Sequence, residues 1–550
     1  MIDECASART VYSERSFARM IDGAAVALLG ALAMIAALTF RDYGLGWDDY
    51  AHSEYGDLLL SLYGSGFTDL RAFSFVNLYM YGGGFDMAAA LMAKILPFDL
   101  FDTRRLVGAA LGLAGLFITW RIGRRLGGPF AGLCALVLLA ISPLYYGHMF
   151  MNPKDAPFAV AMALLLLGFI RAFQEYPRPA PATIALCGIG IGLCIGTRVI
   201  GVIAGAYVLA ASIMLYVAEL RAAGPRSATR HLGRFLLALL PALVLAYLVM
   251  GLVWPWAVLK PLNPLGAAEY FSHFFERPWK ERFDGMLLAV PDMPRSYVPT
   301  LFALKEPEVL LLLGIGGIAG AFIAATRREI APSRRAALLL LALAAILPVA
   351  LAVVVRPAMY NGIRHFVFVT PPLGALGGLA ASFLFERLRR YGPATVLAGS
   401  ALLLGAVAAP AIEMVRLHPY QYTQFNHLAG GIRAADERYM LDYWGLAFKQ
   451  AAQELRAKLK PGRRQAAAIR RPWRVAVCGP NVPAAVELGP DFVTNWQTKG
   501  ADFALVLGEF YCADLKAPIL VQIEREGVVY ARVYDIRERT VSSIFTLPPP

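Results

Sequence analysis

The stretch Gly46-Trp47-Asp48-Asp49-Tyr50-Ala51-His52-Ser53-Glu54-Tyr55-Gly56-Asp57 gathers four carboxylates and a histidine just after an apolar run that ends near Phe40. A carboxylate at the mouth of an apolar bundle can take a proton from an attacking hydroxyl. Asp48 and Asp49 are adjacent, so their side chains diverge in helix or strand, and one can face a site while the other makes a structural bond. The plainer alternative is a solvated acidic loop, braced against Arg104 or Arg105, since charge clusters beside membranes are common.

Cations recur at the ends of other apolar runs. Asn152-Pro153-Lys154-Asp155 opens one, Arg104-Arg105 another, and Tyr360-Asn361-Gly362-Ile363-Arg364-His365 a third. Arg198 lies between two runs with almost no loop. Boundary charges of this kind are functional candidates by default. Guanidinium groups pair bidentately with phosphate oxygens, so the set suits a phosphate carried on a lipid. Asp48 and Asp49 are the candidate catalytic residues. Arg104, Arg105, His148, Asn152, Lys154, Asp155, Arg198, Tyr360, Arg364 and His365 are the candidates for binding that phosphate and its substrate, although Asp155 could instead cap its helix. No phosphate-cradling glycine motif, His-x-x-x-His or Cys-x-x-Cys is present. No cofactor is expected, and a divalent metal is left open.

These residues sit on a strongly apolar chain. Of 550 residues, 58% are hydrophobic and 17% charged, at a mean hydropathy of +0.54. About 20 apolar residues cross ~30 Å of hydrocarbon as a helix. The runs near 21–40, 105–122, 127–146, 156–172, 182–197, 199–219, 235–256, 308–326, 336–355, 364–385 and 393–413 give eleven such spans. Tyr81–Pro97 is short and broken by Asp86 and Lys94, and reads as an interfacial helix. With that choice, the arginines at 121–125, 171–178, 221–230, 327–335 and 387–390 fall on one side, which the positive-inside rule makes the cytoplasm. The N-terminus is then inside and the C-terminus outside. The net charge of +13 is explained by orientation rather than by nucleic acid. Residues 1–20 mix acids and arginines and do not resemble a cleaved signal. The acidic loop, the phosphate candidates and six of seven histidines (52, 148, 273, 365, 418 and 427) share the outer face.

After the last span, His418 to Lys460 reads as helix closed by Pro461-Gly462. Arg474–Cys478, Phe503–Leu507 and Val528–Val533 read as strands of a small α/β unit. Cys134, Cys187 and Cys194 are apolar span residues, whereas Cys478 and Cys512 can pair if their unit lies in an oxidising compartment.

Trp47-Asp48-Asp49, Arg104-Arg105-Leu106, Arg124-Arg125-Leu126-Gly127 and Ser142-Pro143 with Asn152-Pro153-Lys154-Asp155-Ala156-Pro157-Phe158 resemble the dolichyl-phosphate-mannose protein mannosyltransferase-like, aminoarabinose-transferase-like group of GT-C glycosyltransferases (glycosyltransferase family 39-like). Tyr360-Asn361-Gly362-Ile363-Arg364-His365-Phe366 and Asp442-Tyr443-Trp444-Gly445 resemble its bacterial branch, and the likeness covers about residues 20–450. The group's usual first-loop pair is Asp-Glu; here it is Asp-Asp. The resemblance implies a polyprenyl-phosphate sugar donor, a protein, lipid or glycan acceptor outside a bacterial inner membrane, and inversion at the anomeric carbon. The expected fold is an all-α polytopic membrane protein with about eleven transmembrane helices, juxtamembrane helices and a small C-terminal α/β domain. The expected divisions are a cytoplasmic tail 1–20, a catalytic membrane domain 21–413 with outer loops 41–104 and 257–307, and a periplasmic domain 414–550. A transporter or flippase for lipid-linked sugars is the competing class, and a scaffold with an outer sensing domain a third. A transporter should place polar, broken helices at mid-membrane, where this chain carries Ala, Leu and Gly.

Overall fold

The computed structural model describes residues 2–272, 279–459 and 471–547. His273 and Pro461-Gly462 lie outside them. Among the described residues, nine helices are long and apolar enough to cross a membrane: Ser16–Asp42, Leu100–Ala140, Asp155–Gln174, Val199–Ala223, Pro225–Val253, Glu308–Thr326, Pro332–Val355, Arg364–Arg389 and Pro393–Arg416. The 41-residue Leu100–Ala140 is a helical hairpin rather than a rod. Gly128 takes φ 83°, which favours glycine, and Pro129 begins the second arm. The arms fold back on each other, so a Cβ on Gly132 would lie 2.9 Å from Trp120 and 2.8 Å from Arg124. Counting both arms, the second continued by Pro143–Met151, and adding the 17-residue Pro181–Thr197, gives the eleven expected passages. Helix Gly84–Ala93 has 10 residues and, at about 1.5 Å per residue, cannot cross.

Following the chain through these passages sorts the polar residues to two ends. At one end Arg124 holds Asp22 through a bidentate pair of 2.7 and 2.6 Å, and the other arginine-rich turns share that end. At the opposite end Asp48, Lys154, Asp155, Arg198 and Arg364 meet. The helices that carry Lys154, Asp155 and Arg364 are the most enclosed. Inside the protein lie 83% of the apolar window of Asp155–Gln174 and 72% of that of Arg364–Arg389, against 11% for Pro225–Val253 and 6% for Pro393–Arg416. These three charges are thus mounted on helices enclosed by their neighbours, and the peripheral helices are left uncovered. Gly188, Gly192 and Gly196, four apart, let Pro181–Thr197 press directly on the backbone of Pro225–Val253.

Residues 418–459, the described part of the helix expected to run to Lys460, are not one helix. They form short turns at Gln421–Thr423 and His427–Ala429, a helix Gly431–Asp436, and a helix Phe448–Leu459. Pro419 lacks an N–H, and Gly430, Gly431 and Gly445 all have positive φ, so helical bonding cannot run through. Between the helices, residues 439–447 form a buried strap. Asp442 folds it by accepting the amides of Gly445, Leu446 and Ala447 at 2.8, 3.1 and 3.2 Å.

The loop 257–307 contains an antiparallel hairpin, β1 (Lys280–Phe283) and β2 (Met286–Ala289). The C-terminal unit holds β3 (Trp473–Cys478), β4 (Phe492–Asn495), β5 (Phe503–Leu507), β6 (Ile519–Arg525) and β7 (Val528–Asp535) in the order β4-β3-β5-β7-β6. β3 runs parallel to β4 and β5, and β7 antiparallel to β5 and β6. β4 and β6, which the sequence reading missed, are the two edge strands. Cys478 and Cys512 form a disulfide across a Cα separation of 5.8 Å. In intact cells with a Cys5→Ser background, an impermeant thiol reagent will label only one of Arg226→Cys and Leu428→Cys; labelling of both contradicts this sorting of the loops.

Candidate active site

The two aspartates of the first loop do divide their roles. Asp49 is 1% exposed and receives both terminal nitrogens of Arg105, at 2.7 and 2.6 Å. Arg105 also donates to the carbonyl of Gly44 at 2.6 Å, and Asp49 accepts the Gly46 amide at 2.8 Å. The loop is therefore stitched to the hairpin helix and to itself. Its glycine is needed: a Cβ on Gly46 would come within 1.7 Å of the Trp444 ring in the buried strap. Asp48 keeps a third of its side chain exposed (33%) and has Lys154 Nζ 3.1 Å away. Burial pushes its carboxyl up, but Lys154, Arg364 and His52 outweigh burial and hold it well below the usual carboxylate range. Asp48 is thus an ionised acceptor at an accessible position.

Asp155 is the hub beneath it. It lies 2.6 Å from Arg198 and 3.2 Å from Arg364, and its own helix does not use it as a cap. Asn152 takes the cap's place, its Oδ1 accepting the amides of Lys154 and Asp155 at 3.0 and 2.8 Å. Asn152 Nδ2 then donates to Asp155 at 2.8 Å and to His148 Nδ1 at 3.0 Å. His148 Nδ1 accepts, so Nε2 carries the proton and donates to Tyr443 Oη at 2.9 Å. His148 is fully buried and works as a link between the bundle and the strap.

Aromatic rings wall the cations. Tyr81 stands 5.0 Å from Lys154 and 5.8 Å from Arg198, and Tyr360 and Trp444 lie 4.9 and 5.0 Å from the Arg364 guanidinium. His365 packs against Tyr360 with ring centroids 5.1 Å apart. Three cations and two carboxylates, Asp48 and Asp155, leave one positive charge uncancelled, and the buried Nε atoms of Arg198 and Arg364 have no partner among the described residues.

The structure brings Asp48, Lys154, Asp155, Arg198, Arg364, His365 and Tyr360 together. It sets Arg104 and Arg105 behind them as buried partners of Asp86 (2.6 Å) and Asp49. Asp86, which also meets His52 at 2.6 Å, had shown itself only as an interruption of an apolar run. Glu281 was missed altogether. From β1, 2% exposed, it accepts Tyr297 Oη at 2.7 Å and the amides of Asn361 and Gly362 at 2.6 and 3.3 Å. Both of those residues have positive φ, so Glu281 fixes the tight turn from which Arg364 departs. Asp49→Ala would strand Arg105 in the interior and should lower stability by about 3–5 kcal/mol, while Asp48→Asn should cost under about 1 kcal/mol. Thermal unfolding in detergent checks both, and a larger loss for Asp48→Asn would reverse the assignment.

Residues 84–254 match the family model of dolichyl-phosphate-mannose-protein mannosyltransferase. The matched region holds Asp86, Arg104, Arg105, His148, Asn152, Lys154, Asp155 and Arg198. Among solved structures, the archaeal oligosaccharyltransferase AglB from Archaeoglobus fulgidus, in complex with an inhibitory peptide and a dolichol-phosphate, is 12% identical over 95% of this chain and 75% of its own, at a TM-score of 0.50. ArnT from Cupriavidus metallidurans bound to undecaprenyl phosphate is 15% identical over 94% of this chain and 99% of its own, at a TM-score of 0.48. The comparison with curated proteins returned no match. Fold and family match agree with the motif resemblance: the chain is a multi-pass membrane protein whose fold is similar to that of AglB, and its residues 84–254 are similar to the dolichyl-phosphate-mannose-protein mannosyltransferases.

Proposed function

We propose that the protein is an inverting glycosyltransferase that moves a sugar from a polyprenyl-phosphate donor to a hydroxyl of a protein, lipid or glycan acceptor. The reaction takes place at the periplasmic face of a bacterial inner membrane. The observation that carries this reading is one accessible carboxylate, Asp48, set beside a cation cluster with one charge to spare, at the end of a lipid-embedded bundle. The family match and the AglB fold, seen there with a dolichol-phosphate, favour a lipid-linked donor. The arginine-rich turns at the opposite end favour the periplasmic side for the site.

The chemistry follows from the placement. The donor phosphate is held by Lys154, Arg198 and Arg364, with its prenyl chain in the membrane. Asp48 takes the proton of the acceptor hydroxyl as its oxygen bonds to the anomeric carbon. The carbon–oxygen bond to phosphate breaks on the opposite side, and the lipid phosphate leaves with the electron pair, its added charge met by cations already in place. Displacement in one step inverts the carbon. Asp49 and Asp155 are held by arginines, so neither is available as a covalent nucleophile.

Lys154 gives the site an order of events. In the free protein it is the ion-pair partner of Asp48. A bound phosphate draws on the same ammonium and brings its own negative charge. Both effects raise the proton affinity of Asp48 when the base is needed. The polar groups lie at one end of the bundle and not at mid-membrane, which argues against a transporter.

Asp48→Asn keeps shape but cannot accept the proton, so transfer should fall about 10²-fold or more with donor binding retained. Arg364→Lys keeps charge but loses the planar fork, so donor KM should rise. Transfer and release of radiolabelled sugar by the purified protein read both. Near-normal turnover in a folded Asp48→Asn variant removes the base.

A further inference from the structure

A cavity lies at the junction of the last helix and the C-terminal unit. Its volume is about 190 Å³, and Glu413, Arg416, Gln424, Arg433 and Glu526 line it. None of these residues belongs to the site around Asp48.

The floor of the cavity lacks a donor. Gln424 is 3% exposed and its Nε2 donates to Glu413 Oε2 at 2.7 Å. A carboxylate can only accept, so this bond fixes which way the amide faces. Gln424 Oε1 is then a buried acceptor with no partner among the described residues. Such a group costs stability unless the occupant of the cavity supplies a donor. Glu413 beside it also lies 3.1 Å from His427 Nε2.

The mouth has the opposite character. Arg433 uses its Nε on the backbone carbonyl of Glu526, and among the described residues its two terminal nitrogens have no hydrogen-bond partner. Arg416 is exposed and meets no carboxylate at ion-pair distance among the described residues. The cavity therefore pairs an acceptor-rich floor with a mouth that holds two guanidiniums and the exposed Glu526. A ligand that satisfies both ends carries a primary ammonium a few bonds from a phosphate.

The surroundings say where that ligand comes from. Pro393–Arg416, which carries Glu413 and Arg416, is almost wholly exposed to lipid, and both residues sit in its last turns, at head-group level. Close to the lining residues in the chain, the apolar Ile412, Val415 and Leu428 are 52%, 76% and 68% exposed. We propose that this cavity binds the head group of an aminophospholipid of the phosphatidylethanolamine type, its ammonium on Gln424 Oε1 and Glu413 and its phosphate on Arg416 and Arg433. The lipid ties the last helix to the C-terminal unit from outside the bundle. This site does not depend on the glycosyl-transfer reading, because no residue is shared.

Native mass spectrometry of the full chain in detergent, titrated with phosphatidylethanolamine or phosphatidylglycerol, tests it. One phosphatidylethanolamine should remain bound, in preference to phosphatidylglycerol. Gln424→Leu, which removes the orphaned acceptor, should weaken retention at least about tenfold, as should Arg416→Ala combined with Arg433→Ala. Arg416 and Arg433 are exposed, so the double variant should fold normally, and its melting temperature without added lipid checks this. Equal retention of the two lipids, or retention unchanged in both variants, shows that the cavity holds water only and overturns the proposal. Soluble O-phosphoethanolamine that raises the melting temperature as much as the lipid does would assign the site to a free ligand and overturn the lipid.

Discussion

One carboxylate holding two arginines underlies the site end of this protein. Arg198 closes one helix and Arg364 opens another, and each would be costly to bury alone. Asp155 neutralises both and so brings the ends of three helices together. It is free to do so because Asn152 has taken over the capping of its helix. The same Asn152 reaches through His148 to Tyr443, and Trp444 beside it packs against both Arg364 and Gly46. Membrane helices, first loop and C-terminal strap thus share one network, whose centre is a single ion triad.

Around that centre the acidic residues divide into two kinds. Asp49, Asp86 and Asp155 are almost fully buried and each is matched to arginine. Glu281 is equally buried, and backbone amides and a tyrosine satisfy it instead. These groups set positions. Asp48 has a lysine for a partner and a third of its surface open. A lysine on a flexible stem can change partners, whereas an arginine bound bidentately is committed. That difference explains why one of two adjacent aspartates can be chemical and the other structural.

Much of this was legible in the sequence, and the reasons for the rest are physical. Span lengths and arginine placement located the helices and the shared face, because hydrocarbon thickness and orientation rules act on the chain locally. The adjacency of Asp48 and Asp49 showed that they must diverge, but only the position of Arg105 decides which is locked. The same charge rule that drew attention to Arg104 and Arg105 could not tell a buried brace from a ligand. Glu281 lies on a four-residue strand with no periodic signal, and its meaning comes from a turn some eighty residues away. The helix expected over 418–460 followed composition, whereas Pro419 and three left-handed glycines, with Asp442 folding the strap, override it.

The central claim is that the donor phosphate takes over the cations that hold Asp48 ionised, and so makes it a base. The acidic limb of kcat/KM for the donor reports the free protein, and that of kcat reports the donor complex. In the free protein Lys154, Arg364 and His52 hold Asp48 below the usual carboxylate range, so its limb in kcat/KM lies at low pH. Donor binding draws on Lys154 and Arg364 and adds negative charge, so the acidic limb of kcat should move to higher pH and should vanish in Asp48→Asn. Paired pH profiles of the two constants decide the matter. Limbs that coincide, or a kcat limb at lower pH, would contradict the account.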